Sequence, residues 1–126
     1  MESGSLDILL ADDNHDAVDT LAMLMRLWGH NVSAAYDGGE ALALASERRF
    51  DAALLDLDMP GTDGLTLAQA LHAEVPLLWA MSGYADELHR QRCLDTGFDL
   101  ILVKPIDLIR LQKLLAEAAR MVAQAK

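Results

Sequence analysis

Ile8-Leu9-Leu10-Ala11-Asp12-Asp13 is an apolar run that stops on two carboxylates. A second run, Ala52-Ala53-Leu54-Leu55, stops on a third, Asp56. Neither run alternates with polar residues, so each predicts a short strand buried on both faces, as in parallel sheets. If the two strands are parallel neighbours, all three carboxylates meet at their carboxyl ends, where open α/β sheets place their ligands. Three acids in one pocket repel. At about 4 Å and an effective dielectric near 20, each pair costs about 4 kcal/mol. A hard divalent cation relieves that repulsion, and an all-oxygen donor set favours magnesium, calcium or manganese.

Outward from these two runs, the periodicity alternates between strand and helix. Leu6 to Ala11 is strand one. A helix from about His15 to Trp28 carries Val18, Leu21, Ala22 and Met25 on one face, and Gly29 stops it. Asn31 to Tyr36 is strand two, and Asp37-Gly38-Gly39 turns into a helix ending near Arg48. Asp51 to Leu55 is strand three, followed by the loop Met59-Pro60-Gly61-Thr62-Asp63-Gly64 and a helix to about Ala73. Leu77 to Met81 is strand four. A polar helix runs from about Asp86 to Asp95, closed by Gly97, and Asp99 to Val103 is strand five. The last helix starts at Asp107 and sets Leu108, Leu111, Leu115, Ala118 and Val122 on one face. Five strands alternating with five helices predict an α/β fold: a doubly wound, five-stranded parallel sheet with right-handed crossovers. By analogy with the flavodoxin-like order 2-1-3-4-5, strands one and three lie side by side and the acids sit at the switch point.

The 126 residues suffice for one domain with a real core. Residues 1–5 read as a disordered tail or an expression remnant, and 6–126 as the domain. A net charge of −10 argues against a nucleic-acid-binding surface, which would be basic. Cys93 is the only cysteine, so no intramolecular disulfide forms; a reduced, cytoplasmic setting fits. No apolar stretch reaches the length of a membrane span.

Four separated elements resemble those of a response-regulator receiver domain: the acidic pair Asp12-Asp13; the segment from Asp56-Leu57-Asp58 to Gly64; Ser82-Gly83-Tyr84-Ala85; and Lys104-Pro105. The resemblance covers Asp7 to about Ala123. Asp13-Asn14, Gly97-Phe98-Asp99 and Leu102-Val103-Lys104-Pro105 are similar to receivers attached to hybrid sensor kinases. The resemblance implies a phosphoacceptor signalling domain rather than a turnover enzyme. Asp56 would take a phosphoryl group from a partner phosphohistidine, on a histidine kinase or histidine phosphotransfer domain, and become an acyl phosphate. Asp12, Asp13, Asp56 and the backbone carbonyl of Asp58 would hold Mg2+. Lys104 would pair with the carboxylate and then with the phosphoryl group, and Ser82 would donate its hydroxyl to a phosphoryl oxygen. The Lys104–Pro105 bond would be cis. A downstream protein would bind through the fourth helix, fifth strand and fifth helix, where Leu114 and Met121 flank the core stripe.

Other readings stand beside this one. Asp13 or Asn14 can cap the first helix without giving up a metal role. Asp56-Leu57-Asp58 also resembles the nucleophile motif of haloacid-dehalogenase phosphatases, although Pro60 and the mid-chain position fit that motif poorly. His15, His30, His72 and His89 lack zinc spacing and read as solvated or packing residues, with His15 near enough to the acids to tune them. Cys93 reads as a buried helix residue and Trp79 as core. Ile101 stands where many receivers carry an aromatic.

Overall fold

A computed structural model describes residues 4–59, 64–83 and 86–125. Strands and helices alternate in the expected order. The strands are β1 (Asp7–Ala11), β2 (Asn31–Ala35), β3 (Ala52–Asp56), β4 (Leu77–Ser82) and β5 (Leu100–Val103). The helices are α1 (His15–Leu27), α2 (Gly38–Glu47), α3 (Gly64–Leu71), α4 (Glu87–Thr96) and α5 (Leu108–Ala125). Pro60, Gly61, Thr62 and Asp63 of the expected loop lie outside the described residues, as do Tyr84, Ala85 and Met1 to Ser3.

The sheet is parallel, in the order β2-β1-β3-β4-β5. Leu10 pairs with Leu54, so Asp12 and Asp56 leave adjacent strands at the same end. The pleat sends alternate residues to opposite layers. Ile8, Leu10, Leu54, Trp79, Met81 and Leu102 pack with α1 and α5. Leu9, Ala53, Leu55, Ala80 and Ile101 face the layer that holds α2, α3 and α4. Trp79 is core, as expected.

Short polar side chains mark the helix starts and several of the boundaries that the sequence reading misplaced by a residue. Asn14, Asp37 and Asp86 sit before α1, α2 and α4, each accepting the backbone N–H three residues on. Asp107 does the same for Arg110 at the start of α5. Asp86 and Asp107, expected inside their helices, are therefore caps. The short acid competes for N–H groups that the first turn leaves unpaired. Asp51 and Asp99, expected inside strands, lie just before them and accept from Asp7 N at 2.8 Å and Leu78 N at 2.9 Å. At the other end β3 and β4 each run one residue further than expected, because Asp56 pairs with Met81 and Ser82 with Val103.

α5 buries Leu111, Leu115, Ala118 and Ala119. Leu108, expected on that stripe, is exposed at the helix start. Leu114, expected beside the stripe, is half-buried against the core, so Met121 alone of that pair is exposed. Gly97 closes α4 at φ 122, and a Cβ there would run into the His72 ring. No helix among the described residues is long and apolar enough to cross a membrane.

Candidate functional site

Asp12 follows β1 directly and Asp56 ends β3, and both side chains are nearly inaccessible, at 5% and 2% exposure. Asp13, next to Asp12, is exposed. One carboxylate oxygen from each of Asp12, Asp13 and Asp56 lies within 4.8 Å of the others. Lys104, one residue past β5, reaches into the same space. Its Nζ is 3.0 Å from Asp56 Oδ1 and 3.3 Å from Asp12 Oδ2. Asp12, Asp56 and Lys104 continue the parity of Leu10, Leu54 and Leu102, which is why one lysine meets both acids on the α1–α5 side. The Lys104–Pro105 bond is cis, as the resemblance implied.

Backbone groups fix the acids. Asn14 N donates to Asp12 Oδ1 at 3.0 Å, and Asp58 N donates to Asp56 Oδ1 at 2.9 Å. Burial alone would raise the Asp12 carboxyl, but the Asn14 N–H, Asp56 and Lys104 outweigh it and hold Asp12 below its ordinary value. Burial raises Asp56 above its ordinary value; the Asp58 N–H and Lys104 offset only part of that, and Asp12 adds to it. Burial would lower Lys104, yet its bonds and attraction to Asp56 and Asp12 hold it above its ordinary value. The pocket therefore keeps Lys104 charged and resists a second full negative charge at Asp56. A hard cation on these oxygens would remove that resistance, and the donor chemistry suits one.

Ser82 ends β4 on the parity of Ala80, so it faces the opposite layer. It is fully buried, and its Oγ lies 3.3 Å from His89 Nε2. The Ser82 carbonyl accepts Lys104 N at 2.8 Å, tying the hydroxyl strand to the lysine strand. Asp58 behaves differently from the other acids. Its carboxylate turns to Gly83 N at 3.0 Å, and the acids that meet at the pocket are Asp12, Asp13 and Asp56. The dehalogenase-type alternative, which pairs Asp56 with Asp58, gains no support from this arrangement.

A family model for the response regulator receiver domain matches residues 8–116. This chain belongs to that family. The receiver is 38% identical over 121 residues to the transcriptional regulatory protein ZraR of Salmonella typhimurium, covering 94% of this chain and 27% of that protein. It is 40% identical over 107 residues to PrrA of Mycobacterium leprae, another transcriptional regulatory protein, covering 82% of this chain and 46% of that one. The chain thus spans between about a quarter and a half of these relatives. Among solved structures, a CheY-like receiver domain protein from Methanospirillum hungatei superposes with a TM-score of 0.86 at 25% identity, covering 95% of this chain and 98% of that one. A response regulator from Burkholderia pseudomallei, with a phosphorylated aspartic acid and a calcium ion, gives 0.81 at 28% identity, covering 94% and 71%. Nothing in these matches points to a phosphatase. Receiver domains are signalling modules of two-component systems, and this one has the acidic pocket in which they bind Mg2+.

The receiver fold brings together Asp12, Asp13 and Asp56, as the strand reading predicted, and adds Lys104, as the resemblance implied. His15 does not join them; its ring stacks on Tyr36 at 4.0 Å. Two features had no sequence signal strong enough to find them. One is the Asp58–Gly83 bond. The other is His89, whose approach to Ser82 depends on how α4 is rotated over the sheet.

Proposed function

We propose that Asp56 is the phosphoacceptor, with Lys104 and Ser82 as its partners and Asp12, Asp13, Asp56 and the Asp58 carbonyl as the Mg2+ ligands. The observation that carries this is one buried carboxylate, Asp56, held 3.0 Å from a charged lysine and grouped with two further acids. An Asp56 carboxylate oxygen forms a bond to phosphorus, the P–N bond of a phosphohistidine breaks, and the imidazole leaves. Lys104, bonded to Asp56 beforehand, moves its charge onto the phosphoryl oxygens, while Asp12 stays ionised beside them. Magnesium, when bound, neutralises charge on the carboxylate and phosphoryl oxygens and aligns them.

The donor is a histidine kinase or a histidine phosphotransfer domain. A groove of about 300 Å³ borders Asp12 and Lys104 and is lined by Leu10, Ala17, Leu21, Pro105 and Leu108. It offers apolar footing for a helix that presents the histidine. The downstream partner binds the face of α4, β5 and α5, where Leu88, Val103 and Ile109 are exposed.

Intact mass after incubation with acetyl phosphate and magnesium tests the assignment. One added phosphoryl per chain is expected, lost in Asp56→Ala and strongly slowed by chelator or by Asp13→Asn. A phosphoryl gain in Asp56→Ala would show that Asp56 is not the acceptor. Repeated turnover of a chromogenic phosphate would favour a phosphatase instead.

A further inference from the structure

α4 is attached to the sheet by little apolar surface. Cys93 is its buried residue, while Leu88 is 72% exposed and Leu94 is exposed as well. One turn before Cys93, on the same face, stands the half-buried His89. Its Nε2 lies 3.3 Å from Ser82 Oγ and 3.9 Å from Cys93 Sγ. The ring thus fills the place between the end of β4 and the one point where α4 enters the core. Either the ring N–H donates to Ser82 Oγ or the hydroxyl donates to Nε2. In both arrangements the hydroxyl is held toward α4, on the sheet layer opposite Lys104.

Ser82 cannot serve two directions equally. Where the hydroxyl donates to Nε2, its one proton is not available to a phosphoryl oxygen on Asp56; where the ring N–H donates, moving Oγ toward that oxygen draws it away from His89. Ile101, on the same layer, is β-branched and stiff, so it offers little rotation to carry such a change outward.

We propose that His89 is a positioning residue that ties the Ser82 hydroxyl to α4, so that a phosphoryl group on Asp56 competes with His89 for that hydroxyl and loosens the helix. This rests on Asp56 being the phosphoacceptor and Ser82 its hydroxyl partner.

The probe is beryllofluoride with magnesium, a phosphoryl mimic, titrated by fluorine NMR and followed by amide hydrogen exchange. In the wild-type chain, binding is expected to speed exchange across residues 87–96. In His89→Ala that exchange is already fast without the probe and rises no further. Beryllofluoride then binds about fivefold more tightly, the order expected when one net competing hydrogen bond is lost. Ser82→Ala combined with His89→Ala exchanges in α4 no faster than either single variant. His89→Gln keeps a hydrogen-bonding group of similar reach and returns affinity to within about twofold of wild type, which a purely steric role for the ring would not allow. A fluorine signal that depends on Asp56, with affinity and α4 response unchanged in His89→Ala, overturns the His89 link and leaves the phosphoacceptor reading intact. No bound signal in the wild-type chain, or one that persists in Asp56→Ala, overturns both.

Discussion

α5 and α4 flank the same strand, β5, and are held in opposite ways. α5 buries Leu111, Leu115, Ala118 and Ala119 in one apolar cluster with α1 and the inward residues of the sheet, and its position follows from that burial. α4 buries Cys93 and reaches β4 through the polar His89–Ser82 contact, while the Asp86 cap and Gly97 close its own two ends. Apolar burial sums over area and has no preferred direction, so it makes a fixed wall. A few hydrogen bonds are each worth about 1 kcal/mol net and can be exchanged for others, which suits a part that moves. The receiver therefore sets its lysine beside a fixed helix and its hydroxyl beside a loosely held one.

The largest expected effect tests that contrast directly. Leu115→Ala removes a fully buried side chain and should cost about 2–5 kcal/mol in urea unfolding, whereas Leu88→Ala on α4 should stay within about 0.5 kcal/mol. Equal losses at the two positions would break the comparison.

Next comes Lys104→Met. It leaves Asp12 and Asp56 facing each other without their shared cation. Loss of a partner from a buried pair costs about 3–5 kcal/mol, and because Lys104 is about a third exposed, about 2 kcal/mol is expected here. Added magnesium should recover much of it, read as a rise in the urea midpoint. No recovery would mean that the acids do not hold the metal.

Gly97→Ala should cost about 1–2 kcal/mol, since φ 122 disfavours any side chain and the His72 ring stands where the Cβ would go. The same variant should raise exchange at the end of α4 while leaving α5 unchanged.

The smallest effect is at His30, within the firmly packed layer. It is buried, its Nδ1 accepts Leu6 N at 3.1 Å, and burial holds it below the ordinary histidine value of 6.5. The unfolded chain takes up this proton first as pH falls. The neutral ring's contribution is therefore complete above 6.5 and is lost as pH drops from there toward the folded value. Wild type should lose more Tm than His30→Gln between pH 7.5 and pH 5.5. An identical loss in both would show that His30 does not contribute.

The order of elements was legible in the chain because apolar runs alternate with helical periodicity, and the meeting of Asp12, Asp13 and Asp56 followed once the flavodoxin-like strand order was taken by analogy. Lys104–Pro105 and Ser82 were legible only through resemblance to receiver domains, each at the end of an expected strand. Helix starts were misjudged where Asp86 and Asp107 mimic a first turn while serving as caps. The faces of the strands were not legible at all. Runs such as Ile8 to Ala11 and Ala52 to Leu55 are apolar at every position, so they carry no alternation to say which residue faces which layer.

By itself, then, the sequence determined that five buried parallel strands would deliver acids, hydroxyl and lysine to one edge. Composition and periodicity act locally, and β1, β3, β4 and β5 each carry a candidate site residue at or just past their ends. Only the tertiary structure decided which of these groups touch. Strand register put Lys104 on Asp12 and Asp56, turned Ser82 to the other layer, and sent the Asp58 carboxylate to Gly83. The placement of α4 brought His89 to Ser82. Such contacts join residues far apart in sequence, and their geometry is set by how whole elements pack rather than by any pattern within one of them.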